Sequence, residues 1–293
     1  MEDGAKGIAH IGVLQALKEE NIQIDYISGT SMGSLVASIF ACGYTTNEIL
    51  NLVNRYFNEI INIDKRNYLK VISTMLNSTT PVSGIANGYN FKRILNTYFL
   101  SKGIKNISDL TIPIAIPSVD LYTGKLIYFL NRKIESSRYF EEEYFEKLPY
   151  TNIEECIYEY SESIVHIVKS SCSFPGLFEP EMYKKYMLVD GGLRKNVPVS
   201  VLKKMGAEKV IAICFDNLKN GLKDSSILTV ALKCVDIMGY DVNKYEINLA
   251  DLVITPDTKN LALTDFKNCN FLVNQGYKKT KEMISKIKEL IYI

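Results

Sequence analysis

Apolar and polar positions along the chain follow two alternating rhythms. Ile8, Ile11, Val13, Leu14 and Leu17 fall on one face at helical spacing, which predicts a helix over 8–17. Residues 22–27 alternate apolar and polar and include three isoleucines, the pattern of a strand. Residues 32–42 are apolar nearly all round, as a buried helix would be, and Gly43 ends them. Thr45 and Glu48 stand at capping-box spacing and open the next helix.

Further along, 62–88 loses clean period as Asn, Ser, Thr and Gly accumulate between two helical stretches. Residues 111–119 and 125–130 read as strands around the turn Tyr122-Thr123-Gly124. Segment 136–150 is dense in Tyr, Phe and Glu; surface packing and a lid are both open readings of it, and 65–88 is a second lid candidate. A long helix is expected over 153–171, stopped by Pro175-Gly176. There follow a short strand over 186–189, a helix led by Pro198 and running to Met205, strands over 209–215 and 252–254, and a closing helix over 271–291. This alternation predicts an α/β layered fold, and the lack of a linker or repeat predicts one domain over 1–293.

Composition narrows the function classes. Of 293 residues, 47% are apolar and 23% charged, the balance of a soluble globular protein. A net charge of +1 gives no reason to expect a nucleic-acid partner. The longest apolar run, about 35–44, is too short to span a membrane, and the acidic start at Met1-Glu2-Asp3-Gly4 lacks the features of a signal peptide. The six cysteines are scattered without a C-x-x-C pair, so reduced thiols in a cytoplasmic setting are expected and no metal or cofactor.

Candidate chemistry begins at Gly29-Thr30-Ser31-Met32-Gly33, between a predicted strand and a buried helix. A G-x-S-x-G in that context makes a nucleophile elbow. The glycines allow a tight turn, and the serine hydroxyl is presented at a helix N-terminus, where negative charge is favoured. A serine needs a base. The only histidines, His10 and His166, each lie within an apolar helical stretch and read as packed residues. The base candidate is therefore Asp190, at the end of a strand and followed by Gly191 and Gly192, which let the chain turn away. Partial burial would raise its basicity. Backbone N–H groups at the start of the first helix, Gly4-Ala5-Lys6-Gly7, offer an oxyanion site, with the Lys6 charge close by.

In order and spacing, these three elements resemble the patatin-like phospholipase family: a G-G-G-x-[KR]-G loop, then G-x-S-x-G, then D-G-[GA]. Stretches 8–14, 170–180 (SSCSFPGLFEP), 193–198 (LRKNVP) and 251–256 (DLVITP) are similar to its bacterial branch. The resemblance implies a three-layer fold with a mostly parallel central sheet, a Ser31–Asp190 dyad, and hydrolysis of lipid acyl esters through an acyl-serine. Gly4 and the N–H of Ala5 would be oxyanion donors, with Lys6, Gly7 and Met32 on the same side of the site. The implied partner is a lipid or phospholipid, met in the cytoplasm or at a membrane surface. Acyl transfer, thioester cleavage and a non-catalytic binding role stay open as alternatives.

One departure from the family pattern is visible. Glu2 and Asp3 stand where two loop glycines would be, and no strand precedes them. A carboxylate roughly 6 Å from an oxyanion would cost about 3 kcal/mol at an effective dielectric of 20. Either the chain lacks its true N-terminus, with the first strand and part of the loop, or its oxyanion site is impaired, and an unpaired sheet edge is expected.

Overall fold

The computed structural model describes residues 4–55, 84–86, 88–134, 156–215, 230, 234, 237, 243–258, 261 and 268–292. Most of the segment 65–88, all of 136–150, and Glu2 and Asp3 lie outside these residues.

The first helical stripe forms α1 (Ala9–Glu19), preceded by a 3-10 turn over Gly4–Ile8. A short strand β1 (Ile27–Ser28) leads into α2 (Met32–Ala41), and helix α3 occupies 46–55. The capping box that opens α3 is reciprocal: Thr45 N donates to Glu48 Oε2 at 2.8 Å and Glu48 N to Thr45 Oγ1 at 3.3 Å. Strand β2 (Gly84–Ala86) and helix α4 (Tyr89–Ser101) follow, then strands β3 (Ile114–Asp120), β4 (Leu126–Leu130) and β5 (Cys156–Tyr160) and helix α5 (Ile164–Ser171). Next come β6 (Gly176–Phe178), β7 (Glu181–Tyr183) and β8 (Tyr186–Asp190), helix α6 (Val199–Lys204) and β9 (Ile211–Ile213). Helix α7 (243–248), β10 (Leu252–Ile254) and α8 (Cys269–Tyr292) complete the order.

The main sheet runs β5-β4-β3-β8-β7, with β1 also paired to β3. The pairs β1–β3 and β4–β5 are parallel; β3–β4, β3–β8 and β7–β8 are antiparallel. Two further parallel pairs, β9–β10 and β2–β6, stand outside this sheet. Period-two alternation puts the two faces of the sheet into different cores. Ile114, Ile116, Ile127, Phe129 and Leu188 pack with residues of α1 to α5, including Ile11, Leu35, Leu52, Leu95 and Val168. Ala115, Val119, Tyr128, Leu130 and Val189 pack on the opposite face with Val201 of α6. A sheet covered on both faces by helices is the α/β layered architecture.

Two expectations change. The strand read over 22–27 contributes only Ile27–Ser28 to a ladder. Ile22 and Ile24 instead pack beside Val13, Leu17 and Ile254, so their alternation reflects side-chain burial without a strand partner among the described residues. The long helix over 153–171 is wrong in its first half. Residues 156–160 (CIYEY) pair in parallel with β4, and Ser161, at φ 59°, turns the chain before α5 starts at Ile164. Tyr and Ile at those positions suit a half-buried strand, and tertiary pairing overrides the helical period.

Among the described residues β1 pairs only with β3, and β9 only with β10. The remaining edges of both line one groove of about 670 Å³, walled also by Val13 and Leu14 of α1 and by Val36 and Ala37 of α2.

Candidate active site

Ser31 lies at the junction of β1 and α2 with φ 53° and ψ −122°. A side-chain-bearing residue adopts this conformation at a cost of about 1–3 kcal/mol, so neighbouring groups must hold it. They do so on both sides of the residue. Ser31 N donates to Ser171 Oγ at 3.2 Å. Ser31 O accepts from Ser34 Oγ at 2.6 Å and from the Cys172 thiol at 3.2 Å. The turn is also tight enough to demand glycine at its start. A Cβ on Gly29 would stand 2.3 Å from the Gly33 carbonyl oxygen. Gly33 itself is not crowded: its nearest neighbour would be His10 Cε1 at 3.9 Å, so the second glycine leaves space and relieves no clash.

Asp190 ends β8 and is wholly buried. Its Oδ1 accepts from Gly192 N at 2.8 Å, capping the 3-10 turn Gly191–Leu193. Gly191 is required here because a Cβ would stand 2.4 Å from Pro117 O on the adjacent strand.

The topology brings the ends of β1 and β8 to one edge of β3, although 159 positions separate residues 31 and 190. β1 and β8 pair with the same edge of β3 from opposite directions. Ser28 is level with Ala115, and Asp190 is level with Ser118. Three residues of strand span about 10 Å, and the elbow Gly29-Thr30-Ser31 turns out of the sheet within that interval.

The C-terminal end of α5 joins the two strand ends. Ser171 and Cys172 bond to Ser31, while Ser173 O accepts from Asp190 N at 3.0 Å. Burial pushes the Cys172 thiol well above its ordinary pKa, and the nearby Asp190 carboxylate pushes it in the same direction, so it is kept neutral. Beneath this segment Ser118 and Ser170 hydroxyls meet at 2.9 Å. Farther back on α5, buried Lys169 is anchored to Glu179 O at 2.6 Å and to Glu181 at 3.1 Å. Burial alone would raise the Glu181 carboxyl, but the His166 hydrogen bond, the Lys169 charge and the hydrogen bonds of Lys92 and Lys169 outweigh it and hold the pKa at about 2. None of these α5 residues had an assigned role from sequence. Their signal was the stretch 170–180, whose likeness carried no chemistry by itself.

The 3-10 turn Gly4–Ile8 packs against α2 and α8, with Ala5, Lys6 and Gly7 buried. Lys6, expected as a charge near the site, is only 2% exposed and so is not a solvated surface lysine. The first α-helix begins at Ala9, not at the glycines, because the preceding turn winds as 3-10. Met32 is buried at the first position of α2. Each histidine has a partner: His10 Nδ1 lies 2.6 Å from Gly7 O in the Gly4–Ile8 turn, with its Cε1 facing Gly33, and His166 Nδ1 lies 2.5 Å from Glu181 Oε1. Among the described residues no group of three His, Cys, Asp or Glu side chains could hold a metal ion, and no helix is long and apolar enough to cross a membrane. The six cysteines are free thiols.

The family model for patatin-like phospholipases matches residues 4–203. Among curated proteins, a lysophospholipase NTE1 of Meyerozyma guilliermondii is 30% identical over 210 residues, covering 72% of this chain and 12% of that protein. The NTE1 lysophospholipase of Saccharomyces cerevisiae is 27% identical over 217 residues, covering 72% and 10%. The chain thus spans about a tenth of the length of these relatives. Of solved structures, VipD from Legionella pneumophila aligns over 97% of this chain and 65% of its own, with 14% identity and a TM-score of 0.49. The type III effector ExoU aligns over 97% and 51%, with 12% identity and a TM-score of 0.42.

Proposed function

The chain belongs to the patatin-like phospholipase family, and from that premise we propose that it hydrolyses acyl esters of phospholipids or lysophospholipids through a Ser31–Asp190 dyad. One observation carries the proposal. A strained serine at a strand–helix elbow and a buried aspartate at a strand end are bonded to three consecutive residues, Ser171 to Ser173. The relatives named lysophospholipases point to the substrate class.

In this reading Asp190 takes the Ser31 hydroxyl proton as Oγ attacks the ester carbonyl. The oxyanion that forms is met by the amide of Met32 at the start of α2 and by the amides of Gly4 and Ala5. Lys6 and Gly7 hold the shape of that turn. Collapse expels the alcohol, which leaves with the proton from Asp190. Water then attacks the acyl-serine as Asp190 accepts its proton, and the fatty acid departs as Ser31 is reprotonated. No metal or cofactor takes part. The whole of 1–293 acts as one unit, whose main core joins Ala5 to Leu272. Its setting is a reducing compartment, consistent with six free thiols, with substrate taken from a lipid surface.

A fluorophosphonate ester reports the proposed nucleophile directly. The parent chain is expected to label covalently and Ser31→Ala to remain unlabelled. Equal labelling of both, or none of the parent, defeats the assignment.

A further inference from the structure

We infer that Thr30 is a positioning residue that sets the distance between the nucleophile and its base, by clamping the elbow to the turn after Asp190. The inference rests on the Ser31–Asp190 reading and assigns a role that reading does not contain.

Thr30 is the variable position before the serine in G-x-S-x-G, and its side chain is 1% exposed. Its Oγ1 donates to Lys195 O at 2.7 Å, across 165 positions of sequence. Lys195 is held on two other sides. Its N–H donates to Gly191 O at 2.8 Å, in the turn that Asp190 caps. Its ammonium pairs with Glu246, a carboxylate on α7 that is 1% exposed. Glu246 is itself fixed, accepting Ser200 N at 2.8 Å and Ser200 Oγ at 2.9 Å. The carbonyl that Thr30 grips is therefore part of a rigid assembly of the Asp190 turn, α6 and α7.

The geometry explains why such a clamp is needed. β1 contributes only two residues to the ladder with β3, which sets its register and leaves the elbow beyond the ladder to be held by other bonds. Ser171 and Cys172, at and just after the end of α5, hold the main-chain N–H and C=O of Ser31. The Thr30–Lys195 bond adds a direct side-chain link between the elbow and the turn after Asp190. A misplacement of about 1 Å between reacting groups can cost on the order of 10²-fold in rate, so a single bond at this place acts on turnover.

The test uses the full chain and hydrolysis of a short chromogenic ester, with fluorophosphonate titration to count competent sites. Thr30→Val keeps shape and loses the hydroxyl; Thr30→Ser keeps the hydroxyl and loses a methyl. Thr30→Val is expected to lower kcat about 10- to 100-fold with KM nearly unchanged, and Thr30→Ser to stay within about threefold of the parent. If Thr30→Val does not fold, Thr30→Ala, which makes no steric demand, takes its place with the same expectation. Parental kcat in Thr30→Val, an equal fall in Thr30→Ser, or a loss that tracks only the number of titrated sites overturns the inference. An inert Ser31→Ala beside an unimpaired Thr30→Val leaves the dyad standing and removes only the clamp; a reactive Ser31→Ala removes the dyad itself.

Discussion

Asp190→Asn is expected to lower turnover by about 10⁴-fold while the protein keeps its fold, the scale seen when a buried triad carboxylate is made neutral. The substitution suits the site. Asn keeps the size of Asp and an oxygen that can accept the Gly192 N–H, so the cap on the following turn survives. It lacks the basicity to take a proton from Ser31. Each histidine Nδ1 already has a partner, Gly7 O for His10 and Glu181 for His166. Far-ultraviolet circular dichroism and the melting curve would establish the fold, and released fatty acid would measure turnover. An Asn variant that hydrolyses phospholipid at the parental rate takes Asp190 out of the mechanism.

Gly12→Ala should produce the largest loss of stability from one methyl group, about 3 kcal/mol or more. Helix α1 crosses α8 with main chains nearly touching. A Cβ on Gly12 would stand 1.8 Å from Val273 O and 2.6 Å from Tyr277 N, and one on Gly276 would stand 2.0 Å from Ala9 O. These obstacles are backbone atoms and cannot swing aside, so the helices must separate. Intrinsic propensity favours Ala over Gly in a helix by about 1 kcal/mol, but overpacking costs of about 1–3 kcal/mol, and more against main chain, outweigh it. Separation would also loosen Val13, Leu17 and Ile287, which pack together at the same crossing. Urea denaturation measures the change. A Gly12→Ala chain as stable as the parent, or more stable, would show that the helices slide apart at no cost.

That glycine contact marks one boundary of what the sequence discloses. The stripe of α1, the apolar α2, the Thr45–Glu48 box and the strands β3, β4 and β8 are all legible because each depends on neighbours a few positions away. The elbow and D-G-G turn are legible for the same reason, down to the need for glycine at Gly29 and Gly191. What was hidden depends on distant chain. Residues 156–160 became a strand because β4 was available to pair with them. The alternation of 22–27 pointed to a ladder, but only two residues found a partner. The α5 serines and Lys195 acquire meaning only when β1 and β8 arrive at one edge of β3. Residues with no chemistry of their own, such as Thr30, were passed over beside the serine.

The meeting of β1 and β8 on a single edge of β3 has a consequence for how this protein tolerates change. Both arms are indexed to one template strand, so the template works as a ruler with marks at Ala115 and Ser118. Insertions or deletions in chain that does not touch the template leave the interval between those marks untouched. A slip of either arm by one residue would move Ser31 or Asp190 along the ruler by about 3.3 Å and turn the arm's side chains to the opposite face. Length variation should therefore be cheapest in connections that touch neither the template nor the core, and forbidden on the template positions themselves.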